Sequence, residues 1–275
     1  MAIYWFSMFE KTIRINCDDD DINNLVIGVY EEMQIPAQEA APDLDYVLTK
    51  SDKDGEEYCM ARVGETAVYS GDDGLFLYLL EKDMTIALEI LRSDLYFLHA
   101  AALEYKDKIH LLIAESGGGK STTAWALLHH GFNYSSDELA PVVLENMTIH
   151  RYPHALCQKT DPPEQYPLPP ETMITSRTMH VPVDAMPCKV TSSPMELSSI
   201  FFVQYDSTNK KPSIVDISAG EATARVYANG LNQLAHDADG LIAAERIARH
   251  ARSFHLNTAA LDETAELVKT FLDKL

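Results

Sequence analysis

The sequence predicts an α/β fold with a mixed sheet, preceded by a small β-rich N-terminal lobe. Three observations carry this reading. Residues 1–80 read mostly as short strands between turn signals at 51–55 and Gly71-Asp72-Asp73-Gly74. Residues 109–113 are apolar but for His110, as expected of a strand buried on both faces. From there strands and helices alternate to the C-terminus, the signature of layered α/β folds. The expected division is a lobe at 1–95 and a larger domain at 96–275.

The elements follow in order. A helix is expected at 22–33 and another at 75–91, where apolar residues recur at helical spacing. Residues 96–103 read as an apolar strand, Lys106-Asp107 as a turn, and 109–113 as the next strand. A helix is expected at 123–130, ended by Gly131. Residues 132–135 and 141–150 read as strands. Residues 161–170 hold five prolines and read as a loop. A strand is expected at 199–205, helices at 221–235 and 241–252, a short strand at 253–256 and a terminal helix at 262–275.

Composition bounds the function. The 275 residues are 46% apolar and 23% charged, so wholesale disorder is excluded. A chain of this size buries roughly 70–75% of its unfolded surface and needs no disulfide or zinc to fold. Net charge is −20, which argues against unspecific nucleic-acid or anionic-membrane binding. Residues 18–57 concentrate that acidity, with thirteen acids and two bases. The run Asp18-Asp19-Asp20-Asp21 reads as a solvated loop or helix start. Residues 50–61 fail as a calcium loop, with Lys50 and Ala61 where acidic ligands must stand. The four cysteines are widely spaced and form no C-x-x-C motif. No leader or membrane-spanning run is read, so the expectation is a cytoplasmic protein with reduced thiols.

The strongest motif is Ala114-Glu115-Ser116-Gly117-Gly118-Gly119-Lys120-Ser121-Thr122 between an apolar strand and a helix. Such a loop normally opens on glycine; here the compact Ala114 stands there. Glycines let backbone N–H groups turn inward around a phosphate, and the helix N-terminus favours the same anion. Residues Ser116 to Thr122 are therefore expected to bind nucleotide. Lys120 would place a charge on the β/γ-phosphate oxygens, and Ser121 Oγ a ligand on Mg²⁺. Two flanking segments sharpen this. Leu98-His99-Ala100-Ala101-Ala102 lies on the strand before the loop strand, and Ser135-Ser136-Asp137-Glu138 follows the loop helix. If these strands are neighbours, His99, Lys120, Asp137 and Glu138 converge on one nucleotide.

From Leu98 to Val142 the chain resembles the HPr kinase/phosphorylase catalytic domain and its HPr-kinase-like relatives. Leu-His before small residues, the loop at the same offset, the helix ending at Gly131 and the acidic pair all match. The resemblance implies a phosphoenolpyruvate-carboxykinase-like P-loop kinase core using ATP and Mg²⁺. It implies Asp137 as general base on an acceptor hydroxyl, His99 as the residue that holds that acid, and Glu138 as a Mg²⁺ ligand. It also implies oligomerisation. True HPr enzymes carry a downstream signature of Arg and glycines, whereas residues 171–190 hold Arg177 and no glycine. The acceptor expected is therefore a serine of another peptide or protein. HPr-kinase-like chains of this size also resemble tailoring kinases of ribosomally made peptides, such as lasso-peptide serine kinases. Arg151, Lys159 and Arg177 are weaker candidates for stabilising a transferring phosphate. Two other readings stay open: a nucleotide-binding sensor or scaffold, and a kinase of a small alcohol or free serine.

Overall fold

Phe9 and Glu10 adopt left-handed φ values of 52° and 62°, the backbone of a tight hairpin turn. That turn joins β1 (Ala2–Met8) to β2 (Lys11–Cys17) in the computed structural model, which describes residues 2–192 and 194–275. In β2 the odd positions Ile13, Ile15 and Cys17 are buried and the residues between them are not, so the period of two sets its inner face. Asp19 then caps α1 (Asp20–Tyr30), its side chain accepting from the Asp21 and Ile22 amides. The acidic run is a helix start. β3 (Gln34–Ile35), β4 (Leu44–Lys50), β5 (Tyr58–Arg62) and β6 (Val68–Ser70) complete a six-stranded sheet, order β3-β1-β2-β4-β5-β6. α2 (Asp73–Leu91) is capped by Asp72.

The chain next builds β7 (Leu95–His99), β8 (Ala101–Tyr105), β9 (Lys108–Ile113), α3 (Lys120–His129), β10 (Asn133–Ser136), β11 (Leu139–Val143) and β12 (Thr148–Ile149). β13 (Leu156–Gln158), β14 (Met173–Ile174) and β15 (Met179–Val181) form a separate three-stranded sheet. β16 (Met195–Tyr205), β17 (Ser213–Asp216), α4 (Ala219–Ala228), α5 (Leu241–His250), β18 (Arg252–Thr258) and α6 (Leu261–Asp273) follow.

Two compact units result. The first holds Met1–Arg92, His154–Thr160 and Leu168–Ala185; the second holds Ser93–Pro153, Asp161–Pro167 and Met186–Leu275. The second contains a nine-stranded mixed sheet, order β10-β8-β9-β16-β12-β11-β7, with β18 parallel to β16 and β17 against β18. One face, with Leu111, Ile113 and Ile200, packs on Val226, Ala244 and Ile247 of α4 and α5. On the other, Phe201 stacks on Phe254 at 5.3 Å and Phe271 of α6 meets Phe254 edge-on at 4.9 Å.

Several expected elements differ in a physically readable way. The expected strand at 96–103 is two strands broken at Ala100. The expected strand at 141–150 is a hairpin, β11 with β12, turning near Met147, whose φ is 56°. The helix expected to 235 ends at Ala228, and the next residues run beside β7. Among the described residues no helix is long and apolar enough to cross a membrane.

Candidate active site

The glycine loop leaves β9 at its C-terminal end and leads directly into α3. Gly118 N–H donates to the Glu115 carbonyl at 2.8 Å and closes the turn. Gly117 and Gly119 sit at φ 81° and 91°, a region that L side chains enter only with strain. At Gly118 the limit is space, since a Cβ would lie 2.9 Å from the Glu115 oxygen and 3.0 Å from the Ala114 Cβ. Ser116 and Gly117 are exposed, and Thr122 is half-buried on the first turn of α3. Gly119 is the N-cap of that helix and offers no side chain to cap it.

The acidic pair is placed by two coincident breaks in the sheet. β10 pairs with β8, with Ser136 opposite Ala102, and β11 pairs with β7, with Leu139 opposite His99. Between them, at Asp137-Glu138, the chain changes partner. β7 passes into β8 at Ala100, whose N–H donates to the Glu138 carbonyl at 3.3 Å. Ser136 Oγ accepts from the Glu138 and Leu139 amides and fixes the turn. Ala100, Ala101 and Ala102 are completely buried, so small side chains are what this close passage admits.

Lys120, Ser121 and Asp137 meet as the sequence leads one to expect. Lys120 Nζ donates to the Asp137 carbonyl and lies 3.4 Å from its carboxylate. Ser121 Oγ donates to the other carboxylate oxygen at 2.9 Å. Asp137 is fully buried. Burial pushes its carboxyl up to about 6; the Lys120 ammonium opposes that rise, Glu138 adds to it, and the Ser121 hydrogen bond opposes it. The resemblance placed His99 against Asp137; in the structure its Nε2 meets Glu138 Oε2 at 3.1 Å. His99 is itself held from the other edge, its N–H donating to the Asn229 carbonyl at 3.0 Å.

The weaker candidates separate. The Tyr152 amide donates to the Ser135 carbonyl at 2.9 Å and the His150 amide to Pro141 at 3.0 Å, so the stretch carrying Arg151 runs beside the acidic turn. Lys159 and Arg177 belong to the first unit. There Arg177 pairs with Asp72 at 3.4 Å. Within the proline-rich segment, Tyr166 is buried and pinned to α3. Its carbonyl accepts from Trp125 Nε1 at 3.0 Å and its hydroxyl lies 2.8 Å from His130 Nε2. Tyr205 also stands beside the loop, at the end of β16, where the sequence offers only an apolar strand. Nothing in a single sequence separates an exposed aromatic at a strand end from a core one.

No family model matches the chain, and no curated protein matches it. Among solved structures, the HPr(Ser) kinase/phosphatase from Coxiella burnetii is similar to it, with a TM-score of 0.31 and 13% sequence identity. The match covers 65% of this chain and 94% of that one.

Proposed function

We propose that this chain is an ATP-dependent kinase that moves the γ-phosphoryl group to a serine hydroxyl of a peptide or protein. The observation that carries the reading is the convergence of Lys120, Ser121 and Asp137 at the end of β9, on a glycine loop whose Gly117 and Gly119 hold left-handed φ values. The motif resemblance to HPr-kinase-like proteins supports the same chemistry, within a P-loop catalytic domain that follows a β-rich lobe.

Phosphoryl transfer needs positioning, charge neutralisation and an acceptor for the hydroxyl proton. The loop amides and Lys120 would bind the β- and γ-phosphates. Asp137 would take the serine proton as the serine oxygen bonds to the γ-phosphorus and the β–γ bridging bond breaks, releasing ADP. A carboxyl held near 6 is largely ionised at neutral pH, yet basic enough to accept that proton. The donors gathered here are hydroxyl and carboxylate oxygens, which suit Mg²⁺. Ser121 and Glu138 would hold it, and it would neutralise charge on the phosphates. Among the described residues no three His, Cys, Asp or Glu side chains form a metal cluster, so phosphate and water would complete the shell. His99 positions Glu138.

Incubation with ATP, Mg²⁺ and an acceptor panel tests this. The panel is HPr, free serine, and peptides with internal or C-terminal serine; mass spectrometry reads the added phosphate. Phosphate on a peptide serine, absent with Asp137→Asn, is expected. Transfer only to free serine would make it a small-molecule kinase. Tight ATP binding with no transfer to any acceptor would favour a sensor or scaffold.

A further inference from the structure

β16 runs parallel to β9, with Phe202 opposite Ile113. Three residues further on, Tyr205 therefore stands past the end of β9, level with the glycine loop. Its Cβ would lie 3.5 Å from a Cβ built on Gly119, the residue that starts α3. Phe202 and Val203 just before it are buried at 4% and 6% exposure, whereas Tyr205 is 57% exposed. Strand alternation puts it on the same face as Phe201 and Val203, the face covered by α6. The chain beyond it makes a hydrogen-bonded turn. Asp206 Oδ1 accepts from the Thr208 amide at 2.8 Å and its hydroxyl at 2.7 Å. Asn209 Nδ2 donates to the Thr258 carbonyl at 3.2 Å, tying the turn to the end of β18.

We propose that Tyr205 is the platform on which the base of the bound nucleotide stacks. The inference rests on the nucleotide-binding reading of the glycine loop and names its base subsite. With phosphates on the loop, the nucleoside lies within one triphosphate length of Gly119, and Tyr205 stands inside that reach. A largely exposed aromatic ring standing there, just before a hydrogen-bonded turn, offers a face to any base. Stacking of this kind is tolerant of base identity, so adenine and guanine nucleotides would both use it.

The test measures binding of Mg-ATP, Mg-GTP and Mg-tripolyphosphate to the full chain by calorimetry, for wild type, Tyr205→Ala and Tyr205→Phe. Tyr205→Ala is expected to weaken ATP and GTP by about tenfold or more. Tripolyphosphate affinity should hold, and Tyr205→Phe should restore nucleotide binding. Unchanged ATP affinity in Tyr205→Ala would overturn the proposal. Equal loss of ATP and tripolyphosphate would also overturn it, since that marks a disturbed loop. So would a variant that binds ATP normally and loses only acceptor affinity. Failure of wild type to bind either ATP or tripolyphosphate would sink the nucleotide reading itself, and the base platform with it.

Discussion

With Asp137 as the base we propose, stability and transfer respond to pH in opposite directions. Its folded carboxyl titrates near 6, above the ordinary value of about 3.9. The group therefore stabilises the fold fully below about pH 4, and that contribution is lost as pH rises through about 6. Transfer, in contrast, needs the carboxylate and should rise through the same range. A pH–rate profile should show the rise, and Asp137→Asn should lose about 10²-fold or more in rate while still binding ATP. Denaturant unfolding from pH 4 to 7 should show a fall of order 1–3 kcal/mol in wild type and a flatter curve in Asp137→Asn. His99→Ala should behave differently. The His99–Glu138 pair is more than a third exposed, so its loss should cost under about 1 kcal/mol of stability, measured by urea melts. That Lys120, Ser121 and Asp137 lie together was legible from the glycine loop between strand and helix and the acidic pair after that helix. The pairing of His99 with Glu138 was not, because it depends on the break at Ala100 and the Ser136 turn.

At the scale of elements, the site depends on a loop and an edge strand. Gly118→Ala pushes a methyl against backbone and Ala114, so it should cost about 1–3 kcal/mol and abolish ATP binding, read by thermal melts and calorimetry. β7 lies at the edge of its sheet, where unpaired backbone is a liability. Asn232 covers it, accepting from the Phe97 amide at 3.0 Å and donating to the Leu95 carbonyl at 2.8 Å. Asn232→Ala should cost about 1–3 kcal/mol in denaturant unfolding with little change in ATP affinity. The same edge explains why the helix expected to 235 stops early. Gly230 pairs with Leu98, and any Cβ there would fall 2.3 Å from the Tyr96 hydroxyl oxygen. Helical periodicity carries no trace of such a contact. β13, β14 and β15 escaped notice because two or three residues are too few to show a period of two.

For the whole molecule, the charge of −20 is a standing self-repulsion, concentrated in residues 18–57. Added salt screens it, so the melting temperature should be higher in 0.5 M than in 0.02 M sodium chloride. The α/β class and its β-rich beginning were legible from alternation and the glycine loop. The return of 154–160 and 168–185 to the first unit was not, since the proline-rich stretch between them reads only as a loop and says nothing of where its flanks pack. That return has a consequence during synthesis. The chain passes between units at 92/93, 153/154, 160/161, 167/168 and 185/186. On the ribosome the first unit therefore stays incomplete until residue 185 has emerged, by which time the glycine loop and its acidic pair are already made. The N-terminal segment must wait, strand edges open, for chain that follows the glycine loop, and no single proteolytic cut can release either unit whole.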